Sequence, residues 1–296
     1  MSMQAKSKAL HAARRRVAML ASLLVGGALV LAATTARAQL APQSLPVTVQ
    51  ASGDTATIEV RLGSDVLADL TLSFDDATGL SPSSLGVSAH LVSPTATSLL
   101  NRLPDPSLVQ VPGALPLLVT IEPPANGGLS FERSVRVELH THALAYTTGS
   151  SFRLFKAPLG GAFRDITDEV APGSVRARGT TGGFSQFLVL ADVRETDDVI
   201  ALKVAWLRDR IDALPSAERP AFDGYLDTVE SAVATGDFAN AIAALDLFRA
   251  RAAARAGNPL DATWVPTGQA DNDAGELIAG AATLKFSVAY LRDFGQ

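Results

Sequence analysis

Cysteine is absent from this chain of 296 residues, and its three methionines, Met1, Met3 and Met19, all lie near the N-terminus. The absence of cysteine excludes disulfides, a thiolate nucleophile and a lipid-anchored N-terminal cysteine. Beyond Met19 the chain also has no soft sulfur ligand for a transition metal. Any Zn²⁺ or Ca²⁺ would therefore be held by imidazole and oxygen ligands alone.

Motifs of catalysis and nucleotide binding are also missing. The G-x-S-x-G motif of serine hydrolases does not occur, and neither do the P-loop and the dinucleotide-binding fingerprint. Carboxylate pairs such as Asp165 and Asp168 fall in a predicted turn and are interpreted as solvated caps. We therefore assign no catalytic residues and favour a non-enzyme, with an enzymatic role left open.

Residues 1–38 have the pattern of a cleaved signal peptide. Basic residues precede the apolar run from Val17 to Ala33, and Ala36-Arg37-Ala38 forms an A-x-A cleavage site. An uncleaved membrane anchor is the alternative, which Gly26 and Gly27 disfavour because they interrupt the run. The pattern predicts a periplasmic or extracellular protein after cleavage near Ala38.

Positive charge is scarce beyond this segment. Removing its six basic residues leaves 19 basic residues against 30 acidic ones, a net charge of about −11. Nucleic acids and anionic membrane surfaces bind concentrated positive charge, so neither is a predicted partner. No second run of about 18 apolar residues follows, so a mature chain that spans a membrane is not predicted.

Residues 39–193 alternate apolar and polar side chains with a period of two. Runs such as 56–62, 68–74 and 135–139 show this alternation, and Gly-, Pro- and Asp-rich turns separate them. Each strand would therefore present one apolar face to a core and one polar face to water. We predict an antiparallel β-sandwich domain of seven to ten strands.

The end of this region resembles the closing segment of many bacterial secreted β-sandwich modules. The resemblance covers about sixty residues and rests on Arg153-Leu154-Phe155, on Asp165-Ile166-Thr167 and on the FSxF pattern of Phe184-Ser185-Gln186-Phe187. It implies a bacterial secreted family of unknown function. Folds of this kind serve binding, adhesion and spacing alike, so the resemblance implies an architecture and no activity.

Residues 194–296 change to a period of 3.6 and predict a helical domain. The first predicted helix is capped by Asp197 or Asp198, the second begins near Pro220 and the third is capped by Asp237. The fourth is predicted from Asp273, with Glu276 completing a capping box. We predict a small four-helix bundle, which makes the chain an α+β multidomain protein.

The junction between the second and third helices, 234–242, resembles the turn of a tetratricopeptide hairpin. It also resembles a helical module found C-terminal to other domains in some bacterial secreted enzymes. Only one such junction is present, whereas a solenoid needs at least about three repeats, so a repeat protein is not predicted. The resemblance implies one helical module with a binding role.

Three places are candidate sites. His140 and His142 lie two apart on a predicted strand, so both imidazoles face the same side and could bind one Zn²⁺. The Asp271–Glu276 stretch has carboxylates and a glycine suited to Ca²⁺, although the spacing of an EF-hand is missing. Trp264, in a polar loop, is a candidate for stacking on a sugar or partner, with a packed loop anchor as the alternative.

The favoured function is a secreted or periplasmic binding or scaffold protein that is not catalytic. A carbohydrate-binding or envelope accessory module is the first alternative, and a metal-dependent hydrolase centred on His140 and His142 is the second. The expected partner is a protein or glycan of the cell envelope.

Overall fold

The residues that alternate with a period of two form two antiparallel sheets in the structure. The computed structural model describes residues 42–268 and 271–295, so the predicted signal peptide lies outside the described residues. The first sheet has the strand order β1 (Gln43–Leu45), β5 (Val87–Leu91), β7 (Leu117–Ile121), β13 (Gln186–Asp192), β9 (Phe152–Ala157) and β10 (Arg164–Asp165), and β6 (Val109–Gln110) also pairs with β13. The second sheet has the order β11 (Thr167–Ala171), β12 (Ser174–Thr181), β8 (Ser130–Ala145), β4 (Asp65–Thr78), β3 (Thr55–Leu62) and β2 (Val47–Ser52), and β14 (Thr263–Trp264) also pairs with β8.

The inward faces of the two sheets share one hydrophobic core. Across the second sheet, Ile58 pairs with Leu70, Leu70 with Leu139 and Leu139 with Ala177, and all four side chains are buried. Phe187 and Val189 of the first sheet belong to the same cluster. The alternation that predicts strands therefore also selects the residues that face the core.

Strand β13 is apolar on both faces because both faces are covered. Phe187 and Val189 face the shared core, whereas Leu188 and Leu190 pack in a separate cluster with Leu99. That leucine belongs to a short helix, α1 (Thr97–Leu100), which comes before β6. A strand buried on both sides reads as a continuous apolar run, and this explains why Phe184–Ala191 does not alternate.

Thirteen strands lie in residues 42–193, more than the seven to ten predicted for residues 39–193, and β14 lies in the region that we predict to be helical. Strands β6, β10 and β14 have two residues each. A pair of residues shows no alternation, so these short pairings leave no signal in the sequence.

Four longer helices follow the sheets and share a second core. They are α2 (Thr196–Ala213), α3 (Arg219–Ala234), α4 (Phe238–Arg255) and α5 (Asp273–Phe294). Buried side chains such as Leu207, Phe222, Phe248 and Leu277 form one cluster among them. With α1, the described residues contain five helices and two antiparallel sheets, so the protein has an α+β fold.

Helix α5 packs against α2, α4 and the strands of the second sheet. Residues 274–284 of this helix are all buried, so it has no solvent-exposed face there. A helix that is buried on all sides needs small residues where neighbouring helices or strands approach closely. A Cβ atom on Gly280 would lie 2.5 Å from the ring of Trp206, so only glycine lets α2 and α5 pack at this distance.

The predicted helix caps are correct for α4 and wrong for α2 and α5. Helix α2 begins after Glu195, so Asp197 and Asp198 lie inside its first turn and do not cap it. The predicted capping box of α5 is also wrong, because the Glu276 side chain contacts Lys156 and Arg164. The Asp237 side chain accepts a hydrogen bond from the backbone N–H of Asn240, as predicted. The cap of α5 is Asn272 and not Asp273: its Oδ1 accepts from the N–H of Gly275 at 3.1 Å. Its Nδ2 donates to the carbonyl of Gly182, 2.6 Å away, so this one amide both caps the helix and attaches it to the sheet.

Candidate functional site

Three charged side chains from distant parts of the chain meet where α5 contacts the first sheet. Lys156 and Arg164 are opposite each other on β9 and β10. Glu276, in the first turn of α5, accepts a hydrogen bond from Arg164 Nη2 at 2.8 Å, and its other oxygen lies 3.5 Å from Lys156 Nζ. Lys156 Nζ also donates to the hydroxyl of Thr181 at 2.6 Å. We call these three charges the α5 ion cluster.

Burial and mutual attraction both shift the pKa values in this cluster. Attraction dominates for Glu276, whereas burial dominates for Lys156. Burial raises the pKa of the Glu276 carboxyl, but the positive charges of Lys156 and Arg164 outweigh it and bring the pKa to about 2. Burial lowers the pKa of the Lys156 ammonium to about 8, and the charge of Glu276 only partly offsets this. Both groups are therefore ionised at neutral pH.

A second buried ion pair lies beside the cluster and joins α2 to β10. Lys203 Nζ is 2.7 Å from Asp165 Oδ2, and it also donates to the carbonyl of Thr283 and the hydroxyl of Ser287 on α5. Asp165 Oδ1 accepts from the N–H and hydroxyl of Thr167. The interpretation of Asp165 as a solvated cap is therefore wrong: its side chain is 3% exposed and holds a helix in place.

Above these charges is an apolar cavity of about 200 Å³. Its lining includes the apolar side chains of Pro104, Phe163, Leu202 and Trp206 and the charged side chains of Arg164, Asp165, Arg194 and Lys203, and we call these four charged residues its floor. A buried apolar cavity of about 150 Å³ is large enough to bind benzene, so this one can hold a single ring or a short acyl chain. Leu202 is 55% exposed at its rim, so the cavity has an apolar edge in contact with solvent.

The floor of the cavity has more positive than negative charge. Three basic side chains line it, Arg164, Arg194 and Lys203, against the one carboxylate of Asp165. Asp165 pairs with Lys203 and Asp192 with Arg194, whereas Arg164 has to share the carboxylate of Glu276 with Lys156. Arg164 has five N–H donors, and its hydrogen bond to Glu276 uses one of them. Its guanidinium also lies 4.0 Å from the ring of Trp206. The arrangement can therefore receive an anionic group at Arg164 while an apolar group packs beside Trp206.

The two histidines of the predicted metal site do share one face of β8. Their rings are 4.7 Å apart, and His140 lies 3.6 Å from Asp69 and 2.5 Å from the hydroxyl of Ser174. Burial, the charge of Arg176 and the neighbouring His142 lower the pKa of His140. In residues 42–268 and 271–295, no group of three His, Asp or Glu side chains is arranged to hold a metal ion. The metal site and the hydrolase remain predictions.

Trp264 lies close to the α5 ion cluster, and the Asp271–Glu276 stretch contains one member of it, Glu276. The Trp264 ring is partly buried, stacks on Phe131 with 5.1 Å between centroids and meets Phe184 edge-on. These are the contacts of a packing residue, and a ligand-binding role for Trp264 remains a prediction. In the acidic stretch, both oxygens of Glu276 contact basic side chains. Ca²⁺ binding there also remains a prediction.

The sequence does not predict the contacts of the α5 ion cluster and of the cavity floor, although it suggests other roles for Asp165 and Glu276. One signal was present: Lys203 lies four residues after Val199 and four before Leu207, on the apolar side of α2. A lysine at such a position is buried only when paired. Lys156 and Glu276 have no comparable signal, because their partners are 120 positions apart.

Comparisons with known proteins place the chain in a family. The protein family described as "Family of unknown function (DUF6689)" matches residues 26–292. The chain belongs to this family. The DUF6689 match extends from before β1 to the last turn of α5, so it includes both sheets, all described helices and the cavity between α2 and β10.

No curated protein and no solved structure matches this DUF6689 chain. Its family therefore supports no particular ligand, and the function is inferred from the side chains of the site. Within the described residues, no helix combines the length and the apolar character that crossing a membrane requires.

Proposed function

We propose that this protein binds a small molecule that has an apolar body and a carboxylate or similar acidic group, without transforming it. The observation that carries the proposal is the apolar cavity beside Leu202 and Trp206, with Arg164, which shares its one counter-charge Glu276 with Lys156, on its floor. The apolar body would displace water from the cavity walls, and the acidic group would accept hydrogen bonds from Arg164.

The floor of the cavity is preorganised for recognition. Lys203 is held by Asp165, Thr283 and Ser287, so its ammonium group does not have to be ordered when a ligand binds. A site whose charges are already fixed by other contacts loses less free energy to ordering on binding. This supports binding as the role of the site.

We further propose that the protein works outside the cytoplasm of a bacterium, as a β-sandwich followed by a small four-helix bundle. The basic and apolar pattern of residues 1–38 supports export through a signal peptide. One core shared by both sheets supports the sandwich, and one core shared by α2, α3, α4 and α5 supports the bundle. A protein or glycan partner in the cell envelope is compatible with this location.

Binding of 4-fluorobenzoate, measured by ¹⁹F NMR and isothermal titration, tests the proposal. This probe has about ten non-hydrogen atoms, and we expect a dissociation constant of roughly 1 mM or lower. The neutral 4-fluorobenzamide should bind at least about tenfold more weakly, because it lacks the charge that Arg164 would attract. The cationic 4-fluorobenzylamine should bind weakest.

A pair of leucine variants locates the binding. Leu202→Asp places a negative charge at the rim of the cavity and should abolish binding of 4-fluorobenzoate. Leu247→Asp is the matched control, because Leu247 is 57% exposed on α4 and does not line the cavity. Equal loss in both variants, or binding of the amine as tight as that of the acid, would show that the proposal is wrong.

A further inference from the structure

A second and larger cleft lies between the outer face of the second sheet and helices α4 and α5. It encloses about 470 Å³ and shares no lining residue with the cavity beside Trp206. This volume falls within the range of roughly 300–1,000 Å³ that is typical of ligand pockets. The sheet side of the cleft is polar, with Ser73, Ser134, Arg136, Asp168 and Thr180.

The helices leave this space open because small side chains face the sheet. Ala282 and Ala289 of α5 line the cleft one above the other, seven residues apart and so about two helical turns apart. Phe286 lies between them and is partly buried. The roof therefore consists of a flat aromatic ring with an alanine on either side.

Two buried polar atoms of residues that line this cleft have no hydrogen-bond partner in residues 42–268 and 271–295. Asp168 Oδ2 accepts from the hydroxyl of Thr180 at 2.5 Å, but Asp168 Oδ1 accepts no hydrogen bond within the described part of the chain. The nearest charge to Oδ1 is Arg136, at 3.5 Å. Arg249 Nε on the helix side likewise has no acceptor among those residues. An unpaired acceptor and an unpaired donor in one cleft are costly, and a ligand that both donates and accepts relieves that cost.

The charges that line the cleft nearly balance. The lining contains the carboxylates of Asp75 and Asp168 and the basic groups of Arg136, Arg249 and Lys285. Arg136 lies near the carboxylate of Asp168, and Lys285 donates to both oxygens of Asp246, a residue outside the lining, at 2.7 and 2.8 Å. A charged ligand of either sign would therefore meet a like charge in the cleft. A neutral hydroxyl group both donates and accepts, so it suits the mixed lining.

We propose that this cleft binds a neutral sugar of about one ring. Its hydroxyl groups would form hydrogen bonds with Asp168, Arg136 and the Ser and Thr hydroxyls, and the apolar face of the ring would lie on Phe286. This site is separate from the one in the proposed function, and neither depends on the other. It also uses residues other than Trp264, the aromatic side chain that the sequence suggests for sugar binding.

Saturation-transfer difference NMR with the purified protein tests the site, using glucose, galactose, mannose and N-acetylglucosamine as probes. We expect at least one of these sugars to receive saturation and to compete with the others. Glucuronate and glucosamine carry a negative and a positive charge, and each should bind at least about threefold more weakly than the best neutral sugar. Failure of all four neutral sugars, or tighter binding of a charged one, would overturn the proposal.

Two alanine variants on neighbouring helices place the sugar in the cleft. Ala289→Leu fills the space beside Phe286 and should weaken binding at least tenfold, whereas Ala243→Leu, an exposed position of α4 outside the cleft, should leave it unchanged. Asp168→Asn keeps the size of the side chain and should weaken binding at least threefold. Unchanged binding in Ala289→Leu would contradict the proposed location.

Two of these variants test the sugar site and the site of the proposed function independently. Leu202→Asp should lose 4-fluorobenzoate and retain the sugar, and Ala289→Leu should do the reverse.

Discussion

The contact between the two sheets and the contact between α5 and the first sheet are built from different chemistry. The row Ile58, Leu70 and Leu139 in the sheet core is apolar and fully buried. The contact made by the first turn of α5 instead contains the charges of Lys156 and Glu276, both less than 10% exposed. Burial of apolar area does not depend on direction, whereas an ion pair is satisfied in one arrangement only.

This difference indicates what each contact contributes. The sheet core supplies stability in proportion to the apolar area removed from water, roughly 25 cal/mol for each Å². The α5 ion cluster adds little net stability, because removing charges from water costs about as much as their pairing returns. It does determine where α5 lies, because a shift of the helix would leave Lys156 or Glu276 buried without a partner.

The largest effect is expected from breaking the α5 ion cluster. Glu276→Gln leaves Lys156 and Arg164 buried without a counter-charge and should lower the free energy of unfolding by about 3–5 kcal/mol. Glu230→Gln is the control: it removes an exposed partner of Arg208 and should change stability by less than about 1 kcal/mol. Urea unfolding followed by circular dichroism measures both. A loss under about 1 kcal/mol in Glu276→Gln would mean that the cluster is not buried in solution.

The sheet core should respond nearly as strongly but without dependence on charge. Leu139→Ala leaves a cavity in the apolar row and should cost about 2–5 kcal/mol. Leu62→Ala, at a leucine that is 43% exposed at the end of β3, should cost less than about 1 kcal/mol. The same urea titration at low and at high salt sharpens the comparison, since the cost of Leu139→Ala should not change with salt. Equal costs for the two leucine variants would contradict the proposed core.

Acid should weaken the α5 contact through Glu276. Its pKa falls from 4.5 to about 2 in the folded protein, so the folded state holds the charged form more strongly than the unfolded state does. The stability that this carboxylate contributes is complete above pH 4.5 and is lost as the pH falls through about 2. The ¹³C shift of the Glu276 carboxyl, followed against pH, should titrate near 2, and a midpoint near 4.5 would contradict the cluster.

Base should stabilise the folded state through Lys156. The pKa of its ammonium falls from 10.5 to about 8 on folding, so the unfolded state holds the proton more tightly. Between pH 8 and 10.5 this group alone makes the folded state more stable as the pH rises. NMR of the Lys156 side chain should show a midpoint near 8. A midpoint near 10.5 would show that Lys156 is solvated.

The smallest change in stability is expected at the rim of the cavity beside Trp206. Leu202→Asp changes an exposed side chain on α2 and should alter the free energy of unfolding by less than about 0.5 kcal/mol. Thermal unfolding of this variant, compared with that of Leu247→Asp, measures this change in stability. A loss above about 2 kcal/mol would mean that Leu202 is packed and that the cavity is closed.

Sequence patterns predict the sheet core well because they are local. Ala56, Ile58 and Val60 lie two residues apart, so their common face follows from the geometry of one strand. Asp237 caps α4 for a reason that is equally local, since its acceptor reaches an N–H three residues on. The cap of α5 could not be predicted in this way. Asn272 and Asp273 are both good caps in sequence, and the contact of Asn272 with Gly182 favours the first.

The sequence by itself determined that thiol chemistry is excluded, that most of the region up to residue 193 forms strands with a period of two, and that long helices with a period of 3.6 follow. It did not indicate the short helix α1 or the two-residue strand β14. Only the tertiary structure decided which charges are buried. Lys156 and Glu276 are 120 positions apart, and Lys203 and Ser287 are 84 apart. Periodicity describes how one segment divides between core and solvent. Which charged groups meet depends on how segments dock, and both candidate binding sites are products of that docking.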